Sequence, residues 1–374
     1  MIQVAALVFE GGSAPSRLEQ ELLEVRHASA LDAVERLQRT PGIGPVFLVT
    51  DAPGLAEKAA ALGAEAALTS SVPGGEPFHF GRCLAGLIER WRLQRVICLG
   101  GGAGVLLTPE DFSGMVGVLE TGDPVVVVNN PLSADVLGFS PAAALFRIEP
   151  PAEDNFLGFL LMEAGLRRVV LPPSARTGFD LDTPSDALVL RLCGAGGPRV
   201  REALQRLDWP SPLERALGPL RRRWAEVVVA GRVGPAVVAH LNARMEWRLR
   251  VFSEERGMKA LGRDRDGRAV SLLGFLEERV GPVALFRLLS RAGEAAFIDS
   301  RVLFAHWGRE VSQSDRFASD LGRWDEVSDP RVRRFTRAAA EAPLPVVLGG
   351  HSLVSGGLWL LADWLGGAAP RGGP

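Results

Sequence analysis

The feature that most constrains this chain is a repeating unit in its first half: an apolar run of strand length that breaks into glycine or asparagine and gives way to a helical stretch. Val4–Phe9 opens the series and ends in Glu10-Gly11-Gly12-Ser13. Leu18, Leu22, Leu23, Val25, Leu31, Val34 and Leu37 then recur at near-helical spacing. Val46–Thr50 is a second apolar run, Ala52–Leu62 reads as a helix capped by Gly63, and Ala64–Thr69 is a short third strand. Phe80–Trp91 is another helix, Val96–Leu99 runs into Gly100–Gly104, and Val125–Val128 ends at Asn129-Asn130. Strand and helix alternating in this way predict an α/β fold, a three-layer, mostly parallel sheet covered on both faces. Ligands of such sheets sit beyond the carboxyl ends of the strands, so the two glycine loops are expected to share a crevice.

A length of 374 residues suits two domains. Gly194-Ala195-Gly196-Gly197-Pro198 has the composition of a linker, which places the expected domains at 1–195 and 199–374. The second half reads as mainly α-helical, with helices expected over 199–207, 212–224, 235–251, 271–280, 282–292, 294–306 and 330–340, and a strand over 345–348. Up to Pro198 there are 14 basic and 23 acidic residues; beyond it there are 28 and 21. That asymmetry points to mutual attraction of domains or to an anionic ligand in the second half. Only Lys58 and Lys259 are lysines, so a lysine-dependent mechanism has two candidates.

Each glycine loop has a structural reading, a simple turn, and a functional one, amides that approach phosphate. Asn129 and Asn130 either cap their own turn or present amides to a base or sugar. In Asp180-Leu181-Asp182 two carboxylates share one face of an extended segment, a spacing that suits magnesium touching phosphate. The alternative there makes Asp182 a helix cap ahead of Pro184. Thr108 with Asp111, and Pro109 between them, predicts a capped helix start, and Asp154 predicts another.

The loop at Gly11-Gly12-Ser13 with Arg17, taken with Asp180-Leu181-Asp182-Thr183-Pro184-Ser185-Asp186, resembles the bracketing motifs of a nucleotidyltransferase family. That family includes molybdenum-cofactor nucleotidyltransferases and 2-phospho-lactate guanylyltransferases. The resemblance covers roughly residues 1–195 and implies a nucleotide-diphospho-sugar-transferase-like fold. It also implies magnesium, a nucleoside triphosphate and a small phosphorylated acceptor as partners. Carried over residue by residue, Gly11, Gly12 and Ser13 would cradle phosphate, Arg17 and Asp182 would act in catalysis, and Asp180 with Asp182 would hold the metal; Gly101, Gly102, Asn129 and Asn130 join the candidate nucleotide-binding residues from their own strand-end positions, not from the resemblance. Two departures stand out: the family's strand-end aspartate is replaced by Gly100–Gly102, and its loop lysine falls in Glu19-Gln20-Glu21. Either Arg26 or Arg17 supplies the missing charge, or nucleoside triphosphate is not the ligand.

In the second half, Gly349-Gly350-His351-Ser352 and Ser355-Gly356-Gly357 follow a strand and precede an apolar helix, so Gly350, His351, Ser352 and Ser355 form a candidate second anion site. Ion-pair networks are the first explanation of Asp299-Ser300-Arg301 and of Asp315-Arg316 with Asp320. Arg221-Arg222-Arg223 reads as a solvated face, so no nucleic acid is expected. Residues 344–365 are long enough to span a bilayer but carry four glycines, His351 and Asp363; they read as a buried strand, a turn and a packed helix, and no membrane partner is expected. Three scattered cysteines suit a reducing cytoplasm and no zinc site. Three functions remain: nucleotidyl transfer, a non-catalytic nucleotide- or anion-binding protein, and glycosyl transfer from a nucleotide-sugar.

Overall fold

The computed structural model describes residues 3–69 and 78–368. In chain order its strands are β1 Val4–Phe9, β2 Ile43–Thr50, β3 Glu65–Leu68, β4 Val96–Gly100, β5 Val125–Val128, β6 Val136–Ser140, β7 Arg167–Val170, β8 Glu226–Gly231, β9 Arg248–Ser253, β10 Ala295–Asp299 and β11 Val346–Gly349. Its helices are α1 Arg17–Gln38, α2 Pro53–Ala61, α3 Phe80–Trp91, α4 Pro109–Leu119, α5 Leu157–Glu163, α6 Ala175–Gly178, α7 Pro184–Cys193 and α8 Pro198–Gln205, followed by α9 Pro212–Leu220, α10 Pro235–Arg244, α11 Leu272–Val280, α12 Pro282–Ala292, α13 Ser300–His306, α14 Gln313–Asp320, α15 Pro330–Ala340 and α16 Leu358–Ala368.

The chain forms two compact units. One comprises the chain up to Ser13, Glu24–Asp180 and Gly196–Val200; the other comprises Ala14–Leu23, Leu181–Ala195 and the chain from Arg201. The turn Asp182-Thr183-Pro184-Ser185-Asp186 therefore belongs with the second unit.

The first unit is α/β, with a seven-stranded sheet in the order β3-β2-β1-β4-β6-β5-β7. Only β6 runs against its neighbours. Because alternate residues of a strand face opposite ways, β1 feeds two cores. Val4, Ala6 and Val8 pack in one core with Val34 and Leu37 of α1 and with Phe112 and Met115 of α4. Ala5 and Leu7 pack in the other with Phe80 and Leu84 of α3 and with Leu157 and Leu161 of α5. Burying such side chains contributes about 1.5–3 kcal/mol each, which fixes the strand order and with it the edge where the loops emerge. Thr108 and Asp111 form the expected capping box ahead of Pro109. The helix expected at Asp154 starts later, at Leu157, without a side-chain cap, and the Asn155 side-chain amide donates to Asp135 Oδ1 at 2.8 Å.

Helices outnumber strands in the second unit, yet they surround a parallel sheet in the order β11-β10-β8-β9. Val227–Ala230 and Ala295–Ile298 are fully buried. Sequence periodicity extends helices over 235–251 and 294–306; the structure ends α10 at Arg244 ahead of β9 and places β10 before α13. A short, wholly apolar run buried on both faces has no alternation to mark it as a strand. The stretch 344–365 is the expected strand, turn and packed helix. Among the described residues no helix is long and apolar enough to cross a membrane.

Candidate functional site

In the first unit, β1 and β4 pair in parallel with Phe9 opposite Gly100, so both glycine loops leave the same edge side by side. The Gly101 amide donates to the Phe9 carbonyl at 2.8 Å. A Cβ on Gly101 would fall on Glu10 Oε2, so this glycine makes room for a buried carboxylate. Glu10 pairs with Arg26 at 3.2 Å. From the end of β2, Asp51 reaches across and its carboxylate accepts from the Gly12 amide, at 3.2 Å to each oxygen. Gly12 has φ +118°, a conformation that favours glycine. His27 lies in the same region, with Nε2 buried and without a hydrogen-bond partner. Burial, then the charges of Arg26 and Lys58, push its imidazole below the ordinary range against the pull of Asp51. Asp180 joins this edge through a backbone bridge to Ala103.

Other residues singled out in the sequence have different surroundings. Asn129 directs Nδ2 to the Thr177 carbonyl and accepts through Oδ1 from the amides of Asp135 and Val136, while Asn130 Oδ1 accepts from Leu132. Both side chains thereby shape a turn. Ser13 and Arg17 are exposed, and the Arg17 guanidinium pairs with Glu21 at 2.7 Å.

The second unit gathers residues that the sequence places far apart. Thr183, not Asp182, caps α7, and Asp186 completes the capping box. Ser185 Oγ donates to the Leu348 carbonyl at the end of β11, and a Cβ on Gly350 would lie 2.9 Å from Thr183 Cγ2. The Asp182 turn and the Gly350-His351 loop thus meet at the carboxyl edge of the second sheet. At the ends of β8 and β10, Arg232 holds Asp299 through two hydrogen bonds of 2.6 and 3.1 Å, both side chains buried. Gly231 permits this approach, since a Cβ there would lie 2.4 Å from that of Asp299. Arg301 grips Asp320 through two bonds of 2.6 Å. Burial pushes the Asp299 carboxyl up, but the charge and hydrogen bonds of Arg232 outweigh it and leave the group below its ordinary range. His351 is pushed down to about 4, by burial first and Arg232 second, against Asp299 and Asp182. Its imidazole is neutral at pH 7. Ser352 and Ser355 are buried, and Ser355 Oγ donates to the His351 carbonyl at 2.8 Å beside a π-turn, Leu353–Gly357.

Glu10, Asp51, His27 and Arg232 escape a reading of the sequence, although Glu10, Asp51 and Arg232 stand immediately after apolar runs. The strand-end position is itself the signal that finds them. Among the described residues no three His, Cys, Asp or Glu side chains gather as a ready-made metal set.

No protein-family model matches the chain, and no curated protein does. Solved structures similar to it include CMP:2-keto-3-deoxy-manno-octonic acid synthetase complexed with CTP, at 14% identity over 45% of this chain and 90% of that one, with a TM-score of 0.33. A protein of Desulfovibrio desulfuricans G20 described as a nucleotide-diphospho-sugar transferase is 14% identical over 55% and 95%, with a TM-score of 0.39. A cytidylyltransferase from Leptospira borgpetersenii is 13% identical over 51% and 86%, with a TM-score of 0.38. The α/β assignment rests on the strand order and pairing described above.

Proposed function

We propose that the first unit binds a nucleoside triphosphate at the carboxyl edge of β1 and β4 and that the protein is a nucleotidyltransferase. The observation that carries this reading is the in-register pairing of Phe9 with Gly100, which sets two glycine loops side by side with Arg26 and Asp180 at the same edge. Backbone amides of Gly12 and Gly102 would meet phosphate oxygens, and Arg26 would supply the positive charge that the acidic Glu19-Gln20-Glu21 segment lacks. An oxygen of a small phosphorylated acceptor attacks the α-phosphorus. The new P–O bond forms as the bond to the bridging oxygen breaks, and pyrophosphate leaves with that electron pair.

Magnesium takes one or two carboxylates and completes its shell with water and substrate phosphate, so Asp180 suits it without a preformed protein cage. When bound, the ion would neutralise phosphate charge. The protein's own contribution is position and electrostatics. Asp51 occupies the Gly12 amide and must leave it when phosphate arrives; its carboxylate acts as a stand-in for the ligand. The test is pyrophosphate release with each of the four nucleoside triphosphates. Asp180→Asn should lower the rate about a hundredfold with an unchanged melting temperature. Undiminished release would remove Asp180 from the mechanism.

The hold of Asp51 on Gly12, together with glycine in place of a strand-end acid on β4, favours a second reading in which the first unit binds a ligand without turnover. Magnesium-dependent nucleotide binding with no pyrophosphate release would support it.

A further inference from the structure

Arg316, on α14, is a half-buried cation of the second unit. Arginine is seldom drawn into a protein without a partner. The Arg316 side chain is half-buried, its Nε is fully buried without a hydrogen-bond acceptor, and among the described residues its guanidinium makes neither an ion pair nor a hydrogen bond. The acids beside it in sequence are engaged elsewhere: Asp315 accepts from the amides of Ser328 and Asp329 at 2.6 and 3.0 Å, and Asp320 is held by Arg301. Burial and then repulsion from Arg301 push the Arg316 guanidinium down, while Asp320, Asp182 and Glu19 pull the other way. Asp320 lies one helical turn beyond Arg316 on α14, and it is held by Arg301, the neighbour of the Ser300 whose Oγ donates to the Gly349 carbonyl, so this helix stands at the carboxyl edge of β10 and β11.

We propose that the carboxyl edge of the second sheet is a binding site for a phosphate group, with Arg316 as its principal cation and Arg232, His351 and the Gly350 loop as its walls. The buried Nε of Arg316 lacks an acceptor, and an anion at this edge would supply one. A tetrahedral oxyanion accepts from several donors at once, and Arg232 keeps one guanidinium nitrogen beyond the two that hold Asp299. Arg301, already bound to Asp320, adds positive potential without leaving its partner. Asp182 opposes an anion, so its charge limits the affinity.

This site is independent of nucleotide binding in the first unit. Thermal denaturation and calorimetric titration of the full chain with inorganic phosphate, and with a simple phosphomonoester, test it. Both arms should bind if the phosphate group is what is recognised; the tighter one distinguishes a free ion from an ester. Arg316→Met should weaken binding about tenfold or more and leave the melting temperature of the unliganded chain equal or higher. Asp182→Asn should tighten binding, and Arg26→Gln should leave it unchanged. Binding that survives Arg316→Met, no binding by wild type, or binding lost in Arg26→Gln would overturn the proposal. So would an Arg316→Met chain that melts lower or fails to fold, since the guanidinium would then be structural; Arg316→Lys should retain part of the phosphate shift.

Discussion

Asp186 and His351 illustrate how two neighbours of one turn set opposite pH dependences. Burial raises the Asp186 carboxyl to about 8, against the hydrogen bonds from Thr183, with Asp182 adding to the rise. An unfolded aspartate titrates near about 3.9. The fold therefore holds a proton that the unfolded chain releases, so this group's stabilisation is complete below about 3.9 and disappears as pH rises through about 8. Asp186→Asn copies the protonated form and should flatten the loss of stability between those limits. His351 has the reverse sign. Its folded value of about 4 lies below the unfolded value of about 6.5, so stability is complete above about 6.5 and falls as pH falls toward about 4. Melting temperature against pH for wild type, Asp186→Asn and His351→Gln separates the two windows; an unaltered profile in both variants contradicts the assignment. Asp51→Asn should tighten nucleoside triphosphate binding about tenfold, because a charged competitor for the Gly12 amide is removed. Weaker binding would show that Asp51 helps rather than competes.

At the scale of elements, the α7 cap links a local motif to a sheet. Thr183→Ala removes a capping box whose loss costs about 1 kcal/mol and should also loosen the loop that Gly350 packs against it. A melting temperature equal to wild type would contradict that cost. Five strands of the first sheet are legible in the sequence, β1, β4 and β5 because turn chemistry follows them at Gly11-Gly12, Gly100–Gly104 and Asn129-Asn130, whereas the antiparallel β6 between β4 and β5 and the edge strand β7 go unread. That the loops after β1 and β4 leave the same edge is legible for the same reason. The parallel strands β8 and β10 are not, since Val227–Ala230 and Ala295–Ile298 are short uniform runs beside helical stretches, without alternation to betray them. The Asp182 motif is visible, but nothing local shows that Leu348 and Gly350, more than 160 residues on in the chain, form the floor beneath it.

On the scale of the whole molecule, two units each carry polar residues at the carboxyl edges of a parallel sheet core. In the first these are Glu10, Asp51 and the glycine loops; in the second they are Arg232, Asp299, Arg301 and His351. Beyond Pro198 there are 28 basic and 21 acidic residues, and one of those cations, Arg316, keeps a buried Nε without a hydrogen-bond acceptor. We propose the edge of β1 and β4 in the first unit as a nucleotide site. Thermal denaturation with each nucleoside triphosphate, with and without magnesium, tests it most directly. One triphosphate at about a hundredfold its Kd should stabilise the protein by about 2.7 kcal/mol in the presence of magnesium, and Arg26→Gln should reduce that shift. No shift with any triphosphate, or one indifferent to Arg26, would contradict the account.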